Sequence, residues 1–431
     1  MLGNQFTPKP ATKLEVIFSK VEGIARNTKL VVRKSRRFTA TAFLLTLLKT
    51  VATGKASYNQ MASTLGHCDL TPMSRQAFSQ RMGEKSEHFL KETLSEAMVQ
   101  KWGGKKIIKT QYFARILVED SSQYKMHKNN NAEFPGHGNS KSDSSGCKID
   151  LSFDLLTGCP LLQNLDKATA QDKTLGKKLV DLVQPKDLVL RDMGYFIVNE
   201  FQRIETMGAF WLSRMPANVC AFMEDGRTLD ECLKSFKGKE LDEPVNLLNE
   251  KGHRVRLIAI RAEKQVAEKR RRDRIKAAKK NGKTPTKKSL LRDGWHIMVT
   301  NVDNDKMDAE DLVKLYSLRW QIEITFRAWK QSGELMKALN RKSKPTHLRT
   351  LIYASILWLV ISMKTGAVLQ SGLNKNEQVV SLEKLAMSMI GYIMKLTILT
   401  DLSKYTPHLR HVLIESRKRD SLMAVGIQCL S

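Results

Sequence analysis

Apolar residues recur at helical spacing from about residue 14 to residue 102, which predicts a helical N-terminal region. Within it, SYNQMASTLGHCDLTPMSRQAFSQRM (57–82) reads as a short helix, a turn holding Gly66 and Pro72, and a second helix capped by Thr71 or Ser74. This is the outline of a helix-turn-helix, with Ser74, Arg75, Gln76, Ser79 and Gln80 as side chains for a DNA groove. A plain helical hairpin gives the same pattern.

Near Ala114 the period changes. ARILVED (114–120) is a largely apolar run with β-branched residues that ends in two acids, as a buried strand reaching the edge of a site would. CKIDLSFDLLTGCPLLQNL (147–165) alternates on both sides of Thr157-Gly158 and reads as a hairpin. A helix over about 171–182, a buried strand DLVLRDMGYF (187–196), a further helix and a strand AFWLSRM (209–215) complete about five strands with interleaved helices. The Asn-, Ser- and Gly-rich segment between the first strand and the hairpin reads as a loop. The class is therefore α/β. After Pro216, EPVNLLNE, HRVRLIAIRAE and GWHIMVTNVD look like an antiparallel insertion, and residues 347–364 return to an apolar helix. Domain limits follow at 1–105, 106–216, 217–305, 306–345 and 346–431.

Along YSLRWQIEITFRAWKQ (316–331) and the residue before it, Leu315, Leu318, Ile322, Phe326 and Trp329 mark an apolar stripe for the core. Trp320 and Trp329 are assigned to packing. The stretch reads as one amphipathic helix, and at about 100° per residue Arg319, Glu323 and Lys330 project within roughly 60° of Tyr316. Rim salt bridges are the ordinary explanation for such polar neighbours. Glu323 and Lys330, however, are seven residues apart and cannot form an i,i+4 pair. A row two turns long around one carboxylate suits a linear polyanion better.

Charge sharpens that reading. The 431 residues, enough for two or three domains, carry 72 Lys and Arg against 44 Asp and Glu, a net +28. The run 261–292 holds 14 basic and 3 acidic residues and supplies +11; the other +17 is spread along the chain. Nucleic acid is the partner this balance favours, with an anionic membrane surface as the alternative. For the basic run itself, a solvated helical linker stands against contact with a phosphate backbone. The longest apolar run, about 13 residues at 351–363, is too short for a bilayer and reads as a core helix. The N-terminus lacks an apolar signal-peptide centre. Six scattered cysteines with no CxxC or Cys/His cluster fit reduced thiols in a cytosolic protein and exclude a zinc site.

Three acids fall where strand or helix patterns meet the expected core: Asp120, Asp192 and Glu323. A carboxylate at the edge of a buried strand carries a desolvation cost that a cation or metal must offset. Singly, Asp120 could cap a turn with Ser121 and Ser122, and Asp192 could pair with Arg191. Three converging acids over-fill a salt bridge and suit Mg²⁺, which takes few carboxylates and keeps waters and phosphates in its shell.

These residues carry a family resemblance. Tyr316, Arg319, Glu323 and Lys330 match, at every spacing, the Tyr-x2-Arg-x3-Glu-x6-Lys signature of the "insertion sequence four" group of bacterial DDE transposases. VEDSSQ around Asp120 and LRDMGYF around Asp192 resemble that family's two aspartate motifs. The resemblance implies a ribonuclease-H-like catalytic core interrupted by a mainly β insertion, with helical N- and C-terminal regions. It further implies that Asp120, Asp192 and Glu323 are catalytic and bind two Mg²⁺ ions, for which Mn²⁺ may substitute. Asp120 would bridge both ions, and Tyr316, Arg319 and Lys330 would hold DNA phosphates at the transposon end. Trp295, 21 residues before Tyr316, sits where hairpin-forming members stack a flipped base; a strand tryptophan in the insertion's core is the alternative.

The expected protein is a cytoplasmic, nucleoid-associated cut-and-paste transposase. Its partners are double-stranded DNA, both transposon ends and target, and a second copy of itself in a homodimer; no membrane is involved. A stand-alone metal-dependent nuclease and a non-catalytic DNA-binding protein or repressor are the rival readings.

Overall fold

A computed structural model describes residues 10–33, 38–54, 56–69, 73–100, 110–138, 144–332, 339, 343–372 and 384–385. The chain divides into two compact units. The first comprises residues 1–109, 120–170 and 320–428, and the second residues 110–119, 171–319 and 429–431.

In the first unit the N-terminal helices are α1 (Pro10–Asn27), α2 (Ala40–Thr53), α3 (Tyr58–Asp69), α4 (Arg75–Arg81) and α5 (Glu84–Val99). The α2 sequence ATAFLLTLLKTVAT has almost no polar face, and nearly every residue of it is buried. Phe43 packs against Phe78 and Phe89 at centroid distances of 5.4 and 6.5 Å. Ser74 caps α4 by accepting from the Ala77 amide at 3.1 Å, as one of the two caps expected for the helix-turn-helix outline.

Strand β1 (Arg115–Met126) passes from the second unit into the first at Asp120. In the first unit it is followed by β2 (Ser145–Asp154) and β3 (Cys159–Lys167), in the order β1-β2-β3. The predicted hairpin is there: β2 and β3 pair antiparallel, and Gly158 takes the left-handed φ of 66° that their turn requires.

The apolar C-terminal helix is longer than its sequence run suggested. It spans Pro345–Gly372, and its Pro345–Ala367 portion is long and apolar enough to cross a membrane by length and composition. That window is 94% buried inside the protein, the environment of a core helix. This helix, α13, packs on α5, α2 and β3. Lys364 on α13 donates to the carbonyls of Met98 (3.1 Å), Gln100 (2.6 Å) and Ala97, satisfying orphan acceptors at the end of α5.

The second unit is built on a mixed sheet. Its elements are α6 (Asp172–Val180), β4 (Asp187–Arg191), α7 (Val198–Thr206), β5 (Phe210–Arg214), β6 (Ala221–Met223), α8 (Leu229–Ser235), β7 (Glu240–Leu247) and β8 (His253–Arg261). They continue with α9 (Lys264–Lys280), α10 (Lys287–Arg292), β9 (Trp295–Thr300) and α11 (Ala309–Ser317). The strand order is β1-β4-β5-β9-β8-β7-β6. β1, β4 and β5 are parallel, and their residues Ile116, Leu117, Val118, Leu188, Val189 and Leu190 are all fully buried, as parallel strands covered on both faces require.

From β5 onward every pairing is antiparallel. The insertion therefore extends the same sheet through β9 instead of forming a separate one. Trp211 on β5 lies flat on Phe201 of α7 at 4.0 Å, and its indole N–H reaches Glu205 at 2.7 Å. The described cysteines Cys147, Cys159, Cys220 and Cys232 are free thiols.

Candidate active site

Asp120 lies in the middle of β1, not at its end. The expected strand stopped at the two acids, but SQYKM continues the alternation, burying Ser122, Tyr124 and Met126 on one face. Asp120 is half-buried, and its Oδ1 accepts from the Ser121 amide at 2.8 Å within the strand, so it caps no turn.

Asp192 is the first residue after β4. Its backbone is extended (φ −84°, ψ 166°), and its carbonyl accepts the Tyr195 amide at 3.0 Å to close a short 3-10 turn. The alternative pairing of Asp192 with Arg191 does not form. The fully buried Arg191 points instead at Glu119 of β1, 3.5 Å away, and donates to the Gly176 (2.6 Å) and Tyr195 (3.3 Å) carbonyls.

The stretch holding the four-residue signature is two helices. α11 ends at Ser317, and α12 runs Trp320–Ser332 in the first unit. Two three-residue hydrogen bonds tighten the break, Leu318 N to Leu315 O and Arg319 N to Tyr316 O, both 3.0 Å. Ser317 Oγ bonds back to Lys314 O at 2.5 Å, a local bond that competes with the helical ladder. A single wheel through Tyr316 and Lys330 therefore does not apply. The apolar stripe survives the break, with Leu315, Leu318 and Ile322 fully buried and Phe326 4% exposed. Trp320 does not pack as assigned: as the first residue of α12 it is 39% exposed. The Trp329 side chain lies outside the described residues.

In the second unit, Tyr316 Oη donates to Arg191 O at 3.1 Å and lies 3.4 Å from Asp192 Oδ1. Burial raises the Tyr316 phenol above its ordinary pKa; Arg319 opposes that shift, and Asp192 adds to it. The Arg319 guanidinium, 8% exposed as a residue, stands 5.9 Å from the Tyr316 ring centroid. In the first unit, Lys330 Nζ stands 5.2 Å from the Tyr124 ring centroid. Partial burial lowers the Lys330 ammonium below its usual pKa, while Asp120 nearby pulls it back up. Glu323 is half-buried and lies seven residues before Lys330, about 10 Å of helix axis.

All three carboxylates are half-buried hard oxygen donors, the chemistry that Mg²⁺ or Mn²⁺ takes. Asp120 and Glu323 belong to the first unit and Asp192 to the second. Among the described residues, no three His, Cys, Asp or Glu side chains form a group able to hold a metal ion. The donor chemistry of each carboxylate fits the ion.

Trp295 opens β9 with its ring 4% exposed, covered by the Arg261 guanidinium at 4.3 Å and by Phe236 at 6.1 Å. That is the setting of a core tryptophan, the alternative kept open for it. Next to it, burial and the charges of Arg270 and Arg214 pull His296 down from 6.5 to about 4. Between these values the unfolded chain binds a proton there that the folded chain does not. The stability contributed by neutral His296 is thus fully present above pH 6.5 and lost as pH falls towards 4. After discounting for partial solvent exposure, the loss is on the order of 1–2 kcal/mol. Thermal unfolding at pH 7 and pH 4.5 checks this: His296→Gln should lose less stability between the two than the wild type.

Sequence reasoning missed Glu119 and Arg191. The signal was present, since each immediately precedes a candidate aspartate in an otherwise apolar strand.

A family model described as "Transposase DDE domain" matches residues 111–359, a span that includes Asp120, Asp192, Tyr316, Arg319, Glu323 and Lys330. The chain belongs to the DDE transposase family. This DDE transposase is 27% identical over 375 residues to the transposase for insertion sequence element IS231B of Bacillus thuringiensis subsp. berliner, covering 80% of this chain and 77% of that protein. It is 25% identical over 372 residues to the transposase for insertion sequence element IS1151 of Clostridium perfringens, covering 80% and 77%. Among solved structures, a cryo-EM piggyBac transposase synaptic complex with hairpin DNA aligns at a TM-score of 0.46 with 11% identity, over 95% of this chain and 85% of that one.

Proposed function

We propose that this DDE transposase is the cut-and-paste enzyme of an insertion sequence. It binds the element's ends, cleaves them through a DNA hairpin and joins the 3′-ends to target DNA. The observation that carries this reading is the family match over residues 111–359, within which both aspartate motifs and the complete Tyr-Arg-Glu-Lys signature fall. The parallel β1-β4-β5 arrangement, with Asp120 on β1 and Asp192 just after β4, supports a ribonuclease-H-like reading of the catalytic core.

In this proposal Asp120, Asp192 and Glu323 would hold divalent metal, two Mg²⁺ ions, which would supply activation of a water or 3′-hydroxyl and stabilisation of the leaving oxygen. Tyr316 contributes in a way its spacing did not reveal: its hydroxyl bonds the Arg191 carbonyl beside Asp192 and so steadies that carboxylate. Arg319 and Lys330 supply fixed positive charge for the phosphates of the strand being cut. Two ends must be cut and joined together, so a homodimer is the working unit. The cellular setting is the cytoplasm, at the nucleoid.

The basic run adds a DNA-backbone surface. Most of it folds as α9 and its end as α10, and the structure sorts its cations. Arg270, Arg271 and Arg274 turn inward to Trp295 O, Leu290 O and Asp293. Lys269, Arg272, Lys276 and Lys280 are exposed. Phosphate contacts release counterions, so replacing these four by glutamine should lower the slope of log K against log salt by about 3–4. Filter-binding titrations should show the same drop on end DNA and on random duplex.

One assay separates the proposed function from its rivals. With a duplex ending in the element's 3′-hydroxyl and a target plasmid, the transposase reading expects joined products. Cleavage without joining indicates a stand-alone nuclease, and binding alone a repressor.

A further inference from the structure

Two fully buried charged residues stand immediately before the two aspartates: Glu119 before Asp120, and Arg191 before Asp192. The parallel ladder between β1 and β4 pairs Arg115 with Asp187 through Val118 with Leu190. Continued by one residue, the same register brings Glu119 opposite Arg191, and their charged groups meet at 3.5 Å.

The surroundings are fitted to this pair. Arg191 Nη2 also donates to the Gly176 carbonyl of α6 at 2.6 Å, and its Nη1 to the Tyr195 carbonyl at 3.3 Å. A Cβ added at Gly176 would stand 2.7 Å from Tyr195 Cδ1 and 3.3 Å from Glu119 Oε2, so α6 can close over the pair only because that position carries no side chain. The backbone around Asp192 is thereby held from both sides. Arg191 grips Tyr195, whose amide donates to the Asp192 carbonyl, and Tyr316 grips the Arg191 carbonyl.

A buried ion pair is a poor source of stability, because desolvation offsets the attraction and an apolar pair of similar size serves the core as well. Its use must lie in geometry. We propose that Glu119 and Arg191 are positioning residues that lock the middle of β1 to the end of β4, the backbone that delivers Asp120 and Asp192, and so set metal affinity and catalytic rate. This rests on the reading of the two aspartates as metal ligands.

The test is the double variant Glu119→Leu/Arg191→Met in the full-length protein, with Mn²⁺ binding followed by electron paramagnetic resonance, alongside end cleavage, end binding and thermal unfolding. Outer groups that orient metal ligands typically account for about 10- to 100-fold in affinity or activity. The expected result is a folded protein that binds end DNA like the wild type, with Mn²⁺ affinity and cleavage each reduced by about that factor. Wild-type affinity and cleavage in the folded double variant would overturn the proposal. Should the double variant not fold, Arg191→Lys takes its place. It keeps the charge facing Glu119 but lacks the planar fork that reaches both carbonyls. It should fold and show the same fall in Mn²⁺ affinity at unchanged end binding; unchanged Mn²⁺ affinity would again overturn the proposal. A wild type that binds Mn²⁺ only as weakly as Asp192→Ala would instead refute the metal-ligand reading on which the pair's role depends.

Discussion

Replacing Asp192 by alanine should abolish metal-dependent cleavage of the element's ends, by about 10³-fold or more, the scale on which a removed catalytic group acts. End binding should survive largely intact. Asp192 sits just beyond β4 with its backbone fixed independently of its carboxylate, through the Tyr195 amide and the gripped Arg191 carbonyl. Truncating the side chain therefore removes a donor without removing a support. Binding draws on the charge spread over the chain, +28 in all, to which one aspartate adds little. Gel-based cleavage and mobility-shift assays on the same preparation check both halves. Undiminished cleavage would sink the assignment of this aspartate.

Arg292→Ala should be the most destabilising single change in the insertion. Arg292 is 7% exposed and meets Asp230, itself 5% exposed, through two bonds of 2.7 and 3.0 Å. Its remaining nitrogen donates to the carbonyls of Pro216 (3.3 Å), Ala217 (3.1 Å) and Val219 (2.9 Å), clasping the segment that leads into β6. Alanine would leave a buried carboxylate and three carbonyls without this donor. Breaking a buried pair from one side costs about 3–5 kcal/mol. Lys288, 4.0 Å from Asp230, offsets only a little of that. Thermal unfolding should fall by roughly 10 °C. Adding Asp230→Leu should recover part of the loss, because it removes the stranded charge.

Arg292 shows where sequence reading stopped. It closes the run 261–292, and composition treats all 14 cations there as one positive block. Only the fold reveals that Arg292, Arg274, Arg271 and Arg270 are used internally while others face solvent. Local patterns were legible where one rule dominated. The β2–β3 hairpin followed from alternation around Thr157-Gly158, the parallel strands from β-branched apolar runs, and α13 from its apolar stretch. The break between α11 and α12 was not legible, since no Gly or Pro marks it and a serine hydroxyl with two short-range amide bonds makes it.

The continuation of β1 past Asp120 was hidden by two serines that are poor strand markers. The Glu119–Arg191 pair depends on strand register, which no local pattern fixes. Of the candidate site, Tyr316, Arg319, Glu323 and Lys330 came from the four-residue signature, and Asp120 and Asp192 from their places at apolar strands and from the resemblance to two aspartate motifs. The bond from Tyr316 to the Arg191 carbonyl came only from the structure.

The most direct measurement is to incubate the full-length protein with a labelled duplex carrying its own element end and Mg²⁺, and to size the products on a denaturing gel. The expected result is a cut at the junction between element and flanking DNA, a hairpin species of doubled strand length, and no cut with Asp192→Ala. Duplex that is bound yet stays uncut in both Mg²⁺ and Mn²⁺ would contradict it.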